Sequence, residues 1–341
     1  MKACPVIRNL ILSLTGACNY ACAYCYAAFH PAKQMPVDTA IKATDMAGKS
    51  GRPFILQFTG GEPLLAFSTI RAVTERVEAK GYPAIIQLQT NASLMTEEIA
   101  VYLKQHKIAV GISLDGRPPV NDSLRKMKNG SSASEATIRG IRLLADQKLP
   151  IGLTCVVTEA NVKTLPGIVQ MAYYLGNVRQ IGFDLLRCQG RGTALHPAKP
   201  QDVATAMEQC YALAQQLEKS TGIHVRFSQL EKIRKIVSGK AYSFAQCYAM
   251  HGEEAYVTSD GSIYACSSLV GDPAFLLGNV WNGMDPEKTK QAGSFIAEAM
   301  YACKACPHLS VCGGGCFTRW KGRDGKAEEE CAMHQTFAKF I

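Results

Sequence analysis

The sequence predicts an α/β protein in two parts: a long βα alternation, then a small Cys-rich region opened by a β-hairpin. Three observations carry this. Six short apolar strand candidates recur at intervals of about thirty to forty residues with helical periodicity between them, which fits a parallel βα barrel or an open doubly wound sheet. Of 14 cysteines in 341 residues, half crowd into the final third. Hydrophobic residues make up 47% and charged residues 19%, enough to bury a substantial core and unlike a disordered or collagen-like chain.

The strand candidates are Leu10–Leu14, Phe54–Phe58, Ala84–Gln89, Ala109–Leu114, Gly152–Val157 and Gln180–Leu186. Each is short, aliphatic or β-branched, and bounded by Gly, Pro, Asn or Asp, as a buried parallel strand should be. Helical stretches lie between them at Thr39–Ala47, Thr69–Lys80, Thr96–His106 and Glu135–Gln147. From Pro197 to Val237 the chain is mostly helical, with Asp202–Ser220 the clearest amphipathic segment. Ala255–Ser259 and Ser262–Ala265 flank Asp260-Gly261, which reads as a hairpin with a type I′ turn. The last forty or so residues are rich in Cys and Gly, and a core there needs something besides hydrophobic burial. These shifts divide the chain into 1–215, a helical linker at 216–246, and 247–341.

Several function classes fall away. No run approaches the ~18 consecutive apolar residues of a spanning helix. Met1-Lys2, Ile7–Leu14 and Thr15-Gly16-Ala17-Cys18 faintly resemble a lipoprotein signal, but Pro5, Arg8 and Asn9 interrupt the apolar stretch. The expectation is therefore a cytoplasmic chain with reduced thiols, used for metal or redox chemistry. The net charge is +9, yet it is spread along the chain. Its densest runs, Arg125–Lys128 and Lys232–Lys235, read as solvated helix faces, so nucleic acid is not expected as a partner, and neither is a membrane.

Cys18, Cys22 and Cys25 form C-x3-C-x2-C just after the first strand, where a βα barrel carries its chemistry. Three close thiolates can hold three corners of an iron–sulfur cluster and leave the fourth iron open. The same trio would also serve a zinc ion with a distant fourth ligand. The second strand runs into Thr59-Gly60-Gly61-Glu62-Pro63, two glycines that permit close backbone approach beside one carboxylate. Taken together, these motifs and Tyr24, the aromatic residue before the third cysteine, resemble the radical S-adenosylmethionine (radical SAM) enzymes over about the first 215 residues.

The resemblance implies a partial (β/α)6 TIM-type barrel. It implies SAM chelated to the open iron and cleaved by one electron to a 5′-deoxyadenosyl radical that abstracts hydrogen from substrate. Carried over by position, Tyr24, Gly60, Gly61, Glu62, Ser113 and Arg125 would contact the cofactor. Gly60, Gly61 and Glu62 would meet its amino group. Ser113 and Arg125 would meet its ribose or carboxylate, the guanidinium offering a bidentate partner.

Cys247, Cys266, Cys303, Cys306, Cys312, Cys316 and Cys331 form the second group. Two zinc ribbons are the plain alternative, since C-x2-C is a common zinc knuckle. The spacing resembles the SPASM extension of radical SAM peptide-modifying enzymes, with Gly261 at the glycine of that pattern. That resemblance implies three [4Fe-4S] clusters in all, two of them auxiliary. Auxiliary cluster I would take Cys247, Cys266 and Cys316, its open iron left to His251, water or a substrate cysteine. Auxiliary cluster II would take Cys303, Cys306, Cys312 and Cys331. Of the remaining cysteines, Cys4, Cys155, Cys188 and Cys210, Cys155 reads as core, and Cys188 follows a strand and could face the site.

The family resemblance implies a peptide or protein substrate and an electron donor such as flavodoxin or ferredoxin. Anaerobic sulfatase maturases, one branch, place an Asp base after the cysteine matching Cys266; here Ser267 and Ser268 follow. That departure shifts the expectation to maturases of ribosomally made peptides (RiPPs), which form thioether or carbon–carbon links or related C–H products. A first strand near residue 7 leaves no room for an N-terminal leader-recognition domain, so leader recognition would fall to a separate protein or to the barrel. The alternatives are sulfatase maturation, an iron–sulfur electron carrier and a zinc interaction module. No residue is singled out as the base; Asp184, Asp260 and Asp272 are acidic near predicted turns.

Overall fold

Six strands, β1 (Asn9–Ser13), β2 (Phe54–Thr59), β3 (Ala84–Thr90), β4 (Ala109–Ser113), β5 (Ile151–Val157) and β6 (Val178–Leu185), lie side by side in chain order and all parallel. This is the computed structural model of the protein, and it describes residues 6–321 and 326–341. Cys4 and the Met1-Lys2 start lie outside the described residues. Sequential strand order settles the choice between barrel and doubly wound sheet. A doubly wound sheet reverses direction at a switch point, whereas an unreversed series of right-handed crossovers puts every helix on one face and curls the sheet.

The connecting helices are α1 (Val37–Gly48), α2 (Phe67–Lys80), α3 (Glu97–Gln105), α4 (Pro118–Leu124), α5 (Ala133–Asp146) and α6 (Pro166–Leu175). Their ends follow local chemistry. Thr96 caps the Ile99 N–H of α3, and Ser132 caps the Glu135 N–H of α5. Leu10, Leu12, Leu56, Phe58 and Leu88 of the strands join Ala40, Ala43, Ile70 and Val73 of the helices in one buried core.

Burial alternates along β2, β5 and most of β6. The sequence expectation of strands buried on both faces therefore holds only for the helix side. The inner face carries Gln57, Gln89 and Thr154, which are half-buried, and not the branched apolar layers that fill a closed barrel.

After α7 (Pro200–Thr221), a short β7 (Arg226–Phe227) adds to β6, and α8 (Ser228–Val237) follows. The Cys-rich part joins the same sheet at its other edge. Strand β8 (Glu254–Val257) pairs parallel with β1, then antiparallel with β9 (Ser262–Tyr264). The hairpin is present but its turn is not type I′. Gly261 N–H bonds the Thr258 carbonyl at 2.9 Å and Thr258 N–H bonds the Ser262 carbonyl at 3.0 Å. The loop therefore has three residues, Ser259, Asp260 and Gly261, of which only Gly261 has positive φ (+86°). Asp260 explains the difference: its carboxylate accepts from Thr258 Oγ1 and the Ser262 N–H, stabilising a turn in which it need not enter the left-handed region. Among the described residues no helix is long and apolar enough to cross a membrane.

Candidate active site

The loop after β1 folds back over the sheet because its backbone is tied at both ends. Leu14 N–H bonds the Thr59 carbonyl, and Met35 N–H returns to the Leu14 carbonyl at 2.7 Å. Further out, Ala21 and Ala23 N–H groups bond the Lys126 and Leu124 carbonyls at 2.7 and 2.8 Å. Arg191 binds the far side, its Nε donating to the Cys22 carbonyl at 2.8 Å and its N–H to the Cys25 carbonyl at 3.0 Å. This pinned loop carries Cys18, Cys22 and Cys25 onto the wall of a cleft of about 360 Å³ at the C-terminal ends of the strands.

The loop after β2 meets it backbone to backbone. Gly61 N–H donates to the Thr15 carbonyl at 2.6 Å, and Glu62 N–H to the Ala17 carbonyl at 2.9 Å. A Cβ on Gly60 would fall 2.3 Å from the Thr15 oxygen, and one on Gly61 2.1 Å from the Ala17 oxygen. Both positions demand glycine, and both line the cleft.

Glu62 turns its side chain into the protein. Its carboxylate is fully buried and does not line the cleft. It accepts from Leu64 N–H at 3.1 Å, Asn91 N–H at 2.8 Å and Thr90 Oγ1 at 2.5 Å. Burial pushes it up to about 6 in spite of these bonds. Its contacts fasten the glycine loop to the end of β3.

Arg125 is held by a protein carboxylate. Its Nε and Nη2 grip Asp115 at 2.9 and 3.0 Å, and its guanidinium lies 5.3 Å over the Tyr24 ring. The Tyr24 hydroxyl donates to the same Asp115 carboxylate. Arg125 and Tyr24 both reach the cleft, but a ligand would meet only the Nη1 side of the guanidinium. Ser113 lines the cleft with its hydroxyl accepting from Gln89 Nε2 at 3.2 Å.

Sequence reasoning missed Asp115, Asn91, Tyr26, Arg187 and Arg191. Asn91 donates from Nδ2 to Asn19 at 3.0 Å and sits 3.9 Å from the Cys18 sulfur. Its position just after β3 was the available signal. Tyr26 follows Cys25 and lies under the Arg187 guanidinium at 5.2 Å. Asp184 and Leu185 at the end of β6, and Arg187 just after it, reach the cleft; Cys188 is exposed and is not on its wall. Of the three aspartates, Asp260 serves the hairpin turn and Asp272 caps Ala274 N–H. Asp184 alone lines the cleft. Burial would raise its carboxyl, but the Arg187 and Arg319 guanidiniums hold it down to about 2, which makes it a poor proton acceptor at neutral pH.

Cys303, Cys306, Cys312 and Cys331 line one cavity with Glu330 and His334. Cys316 lies within electrostatic range of both Cys247 and Cys266. His251 is exposed, its Nε2 3.2 Å from the Phe244 carbonyl. Cys155 is fully buried, as expected of a core residue. Among the described residues no three His, Cys, Asp or Glu side chains form a preformed single-ion site.

The residues at the cleft fit a SAM-bound cluster on two grounds. The donor set is three thiols on one pinned loop, and the glycine floor beside them is space that any Cβ would fill. Burial pushes the Cys18 thiol up to about 12, so only a bound cationic metal core would hold it deprotonated near neutrality.

Comparison with known proteins agrees with this geometry. Residues 12–172 match the Radical SAM superfamily. The uncharacterized protein MJ0907 of Methanocaldococcus jannaschii is 33% identical over 296 residues, 86% of this chain and 96% of that one. A cysteine-type anaerobic sulfatase-maturating enzyme of Clostridium perfringens is 24% identical, covering 99% of this chain and 96% of its own. The solved structure of native anSMEcpe with bound AdoMet and Cp18Cys peptide superposes with a TM-score of 0.81 at 21% identity, covering 98% of this chain and 96% of that one, which shows a shared fold. The chain belongs to the radical SAM superfamily, and it is an enzyme that works with SAM and a four-iron four-sulfur cluster.

Proposed function

We propose that this enzyme is a peptide maturase that modifies a ribosomally synthesised peptide, forming a thioether or carbon–carbon link or a related C–H product, with three [4Fe-4S] clusters. The observation that carries the reading is the joining of two cysteine systems through one sheet. The Cys18–Cys25 loop follows β1, and β8, which pairs with β1, leads into Cys266. Relatives with the same fold include one solved with a peptide bound.

When bound, SAM and its cluster supply a 5′-deoxyadenosyl radical that abstracts hydrogen. The chain's own residues do the rest. Cys18, Cys22 and Cys25 would hold the cluster. Gly60 and Gly61 let backbone approach the cofactor, and Glu62 fixes their loop. Tyr24 and Arg125, braced by Asp115, would wall the cofactor's side of the cleft, with Ser113 beside them. Cys247, Cys266 and Cys316 would hold auxiliary cluster I, and Cys303, Cys306, Cys312 and Cys331 auxiliary cluster II. A fourth ligand for the first would come from water or a substrate cysteine, since His251 has its Nε2 3.2 Å from the Phe244 carbonyl.

Formylglycine formation is the weaker reading. Ser267 stands where that branch has a carboxylate, and the one carboxylate on the cleft wall among the described residues, Asp184, is tied to two arginines. Anaerobic reconstitution should give ~12 iron per chain, and reduced protein with SAM should release 5′-deoxyadenosine. Replacing Cys18, Cys22 and Cys25 together by Ala should abolish release and leave ~8 iron. Cleavage persisting in that variant would overturn the assignment.

A further inference from the structure

The concave face of the half-barrel is open and polar. The residues alternating with the core on β2, β3 and β6 include Gln57, Gln87, Gln89 and Gln180. Glycine stands beside them at Gly111 and Gly152 on β4 and β5, in register with Gln89 and Gln180 respectively. Gly111 keeps the face open there: a Cβ on it would lie 2.3 Å from Gln89 Oε1.

Two cavities share this face. The cysteine cleft occupies the C-terminal ends of the strands, and a second cavity opens toward their N-terminal ends. Gln57, Gln89 and Thr154 line both, so they form the waist of one bore. At the waist Gln89 donates to Ser113 and accepts from Thr154 at 3.2 and 3.5 Å. The far mouth carries Arg179 and Arg226, and among the described residues no acidic side chain lines it. Arg179 is steadied there, its Nη1 donating to the Gly176 and Val178 carbonyls at 2.8 and 2.9 Å.

The chemistry of this bore selects its occupant. A glutamine amide carries both a donor and an acceptor, so it can meet a backbone amide whatever the residue. Guanidiniums with no carboxylate partner among the described residues favour carboxylates at the mouth. Length sets the spacing. Arg226 pairs with Gln180, and four steps along β6 lead from there to Asp184 in the cleft, about 13 Å at the strand rise.

We propose that the bore receives an extended polypeptide segment, its backbone met by the glutamines, and that Arg179 and Arg226 select an acidic residue about four positions from the residue modified in the cleft. This rests on the peptide-maturase reading.

The test uses the reconstituted full chain and fluorescein-labelled hexapeptides, Cys-Ala-Ala-Ala-Glu-Glu and its reverse, each against its Gln-Gln counterpart. At low salt one of the acidic probes should bind at least about tenfold more tightly than its neutral twin, and the gap should shrink as salt rises. In R179Q/R226Q the preference should fall below about twofold, while SAM cleavage without peptide stays at the parent rate. Equal affinities, no binding of any acidic probe at about millimolar concentration, or a preference that survives the double variant would overturn the proposal. Peptides that stimulate deoxyadenosine release with no acid preference would sink the bore inference alone. Acid-selective binding through the arginine pair, with no peptide ever stimulating release, would support the mouth and sink the peptide reading.

Discussion

At the scale of single residues, Gly61 is the most constrained position in the cleft. Its N–H holds the Thr15 carbonyl, and its Cα faces the Ala17 and Gly16 carbonyls so closely that a methyl group would overlap both. The clash is with backbone, which no rotamer change relieves. Gly61→Ala should therefore push the two loops apart and weaken SAM binding by about tenfold or more, with a stability loss of about 1–3 kcal/mol. Isothermal titration of the reconstituted protein would show it, and an unchanged affinity would refute the cradle. Gly60-Gly61 was legible in the sequence because glycine pairs at a strand end carry a steric meaning. The Glu62 contact was not, since sequence places the carboxylate near the site but cannot say which way it points. Its three protein donors come from its own turn and from β3, some 28 residues on.

At the scale of elements, strand existence was readable from apolar runs and turn residues, and all six predicted barrel strands are present within a residue or two. What the runs did not reveal was the single buried face. Phe54-Ile55-Leu56-Gln57-Phe58 looks nearly continuous, yet Gln57 faces an open bore. The pairing of β8 with β1 was equally hidden, because a parallel contact between strands more than two hundred residues apart leaves no local mark. That junction buries Glu254 against Asn9, whose Nδ2 donates to it at 3.1 Å. Burial pushes the Glu254 carboxyl up to about 7, from an ordinary value of 4.5. The folded state therefore keeps this proton between about pH 4.5 and 7 while the unfolded chain releases it. Stability from this group is present below that window and is lost as pH rises through it, by about 3 kcal/mol. Glu254→Gln should remove the slope, leaving the variant more stable than the parent at pH 8 and little changed near pH 4. Urea midpoints across that range would check it, and parallel pH profiles would show the group is not titrating as described.

At the scale of the whole molecule, one chain of charges fastens the Cys-rich part to the barrel. Asp184 at the end of β6 accepts from both Arg187 and Arg319, and Arg319 reaches on to Glu330, whose other oxygen accepts the Cys316 N–H at 2.9 Å. One end of this chain lines the catalytic cleft and the other holds the backbone of a cysteine in the second group. A structural clamp and a proton acceptor make different demands on Asp184, and the two arginines satisfy the first at the expense of the second. Asp184→Asn would leave Arg187 and Arg319 facing a neutral amide in a partly buried site, which should cost about 3 kcal/mol. Arg319→Met should cost a similar amount, through loss of the partner for Asp184 and Glu330. Because the two residues share one interaction, the double variant should lose less than the sum, with a coupling energy of about 1–3 kcal/mol. Additive losses in denaturant unfolding would show that the two parts are not held together here. SAM cleavage without peptide separates the roles further. A clamp predicts that Asp184→Asn retains deoxyadenosine release once folded, and that hydrogen exchange rises on both sides of the joint, at the end of β6 and around Cys316. Loss of modified product with exchange unchanged would instead assign Asp184 to the chemistry.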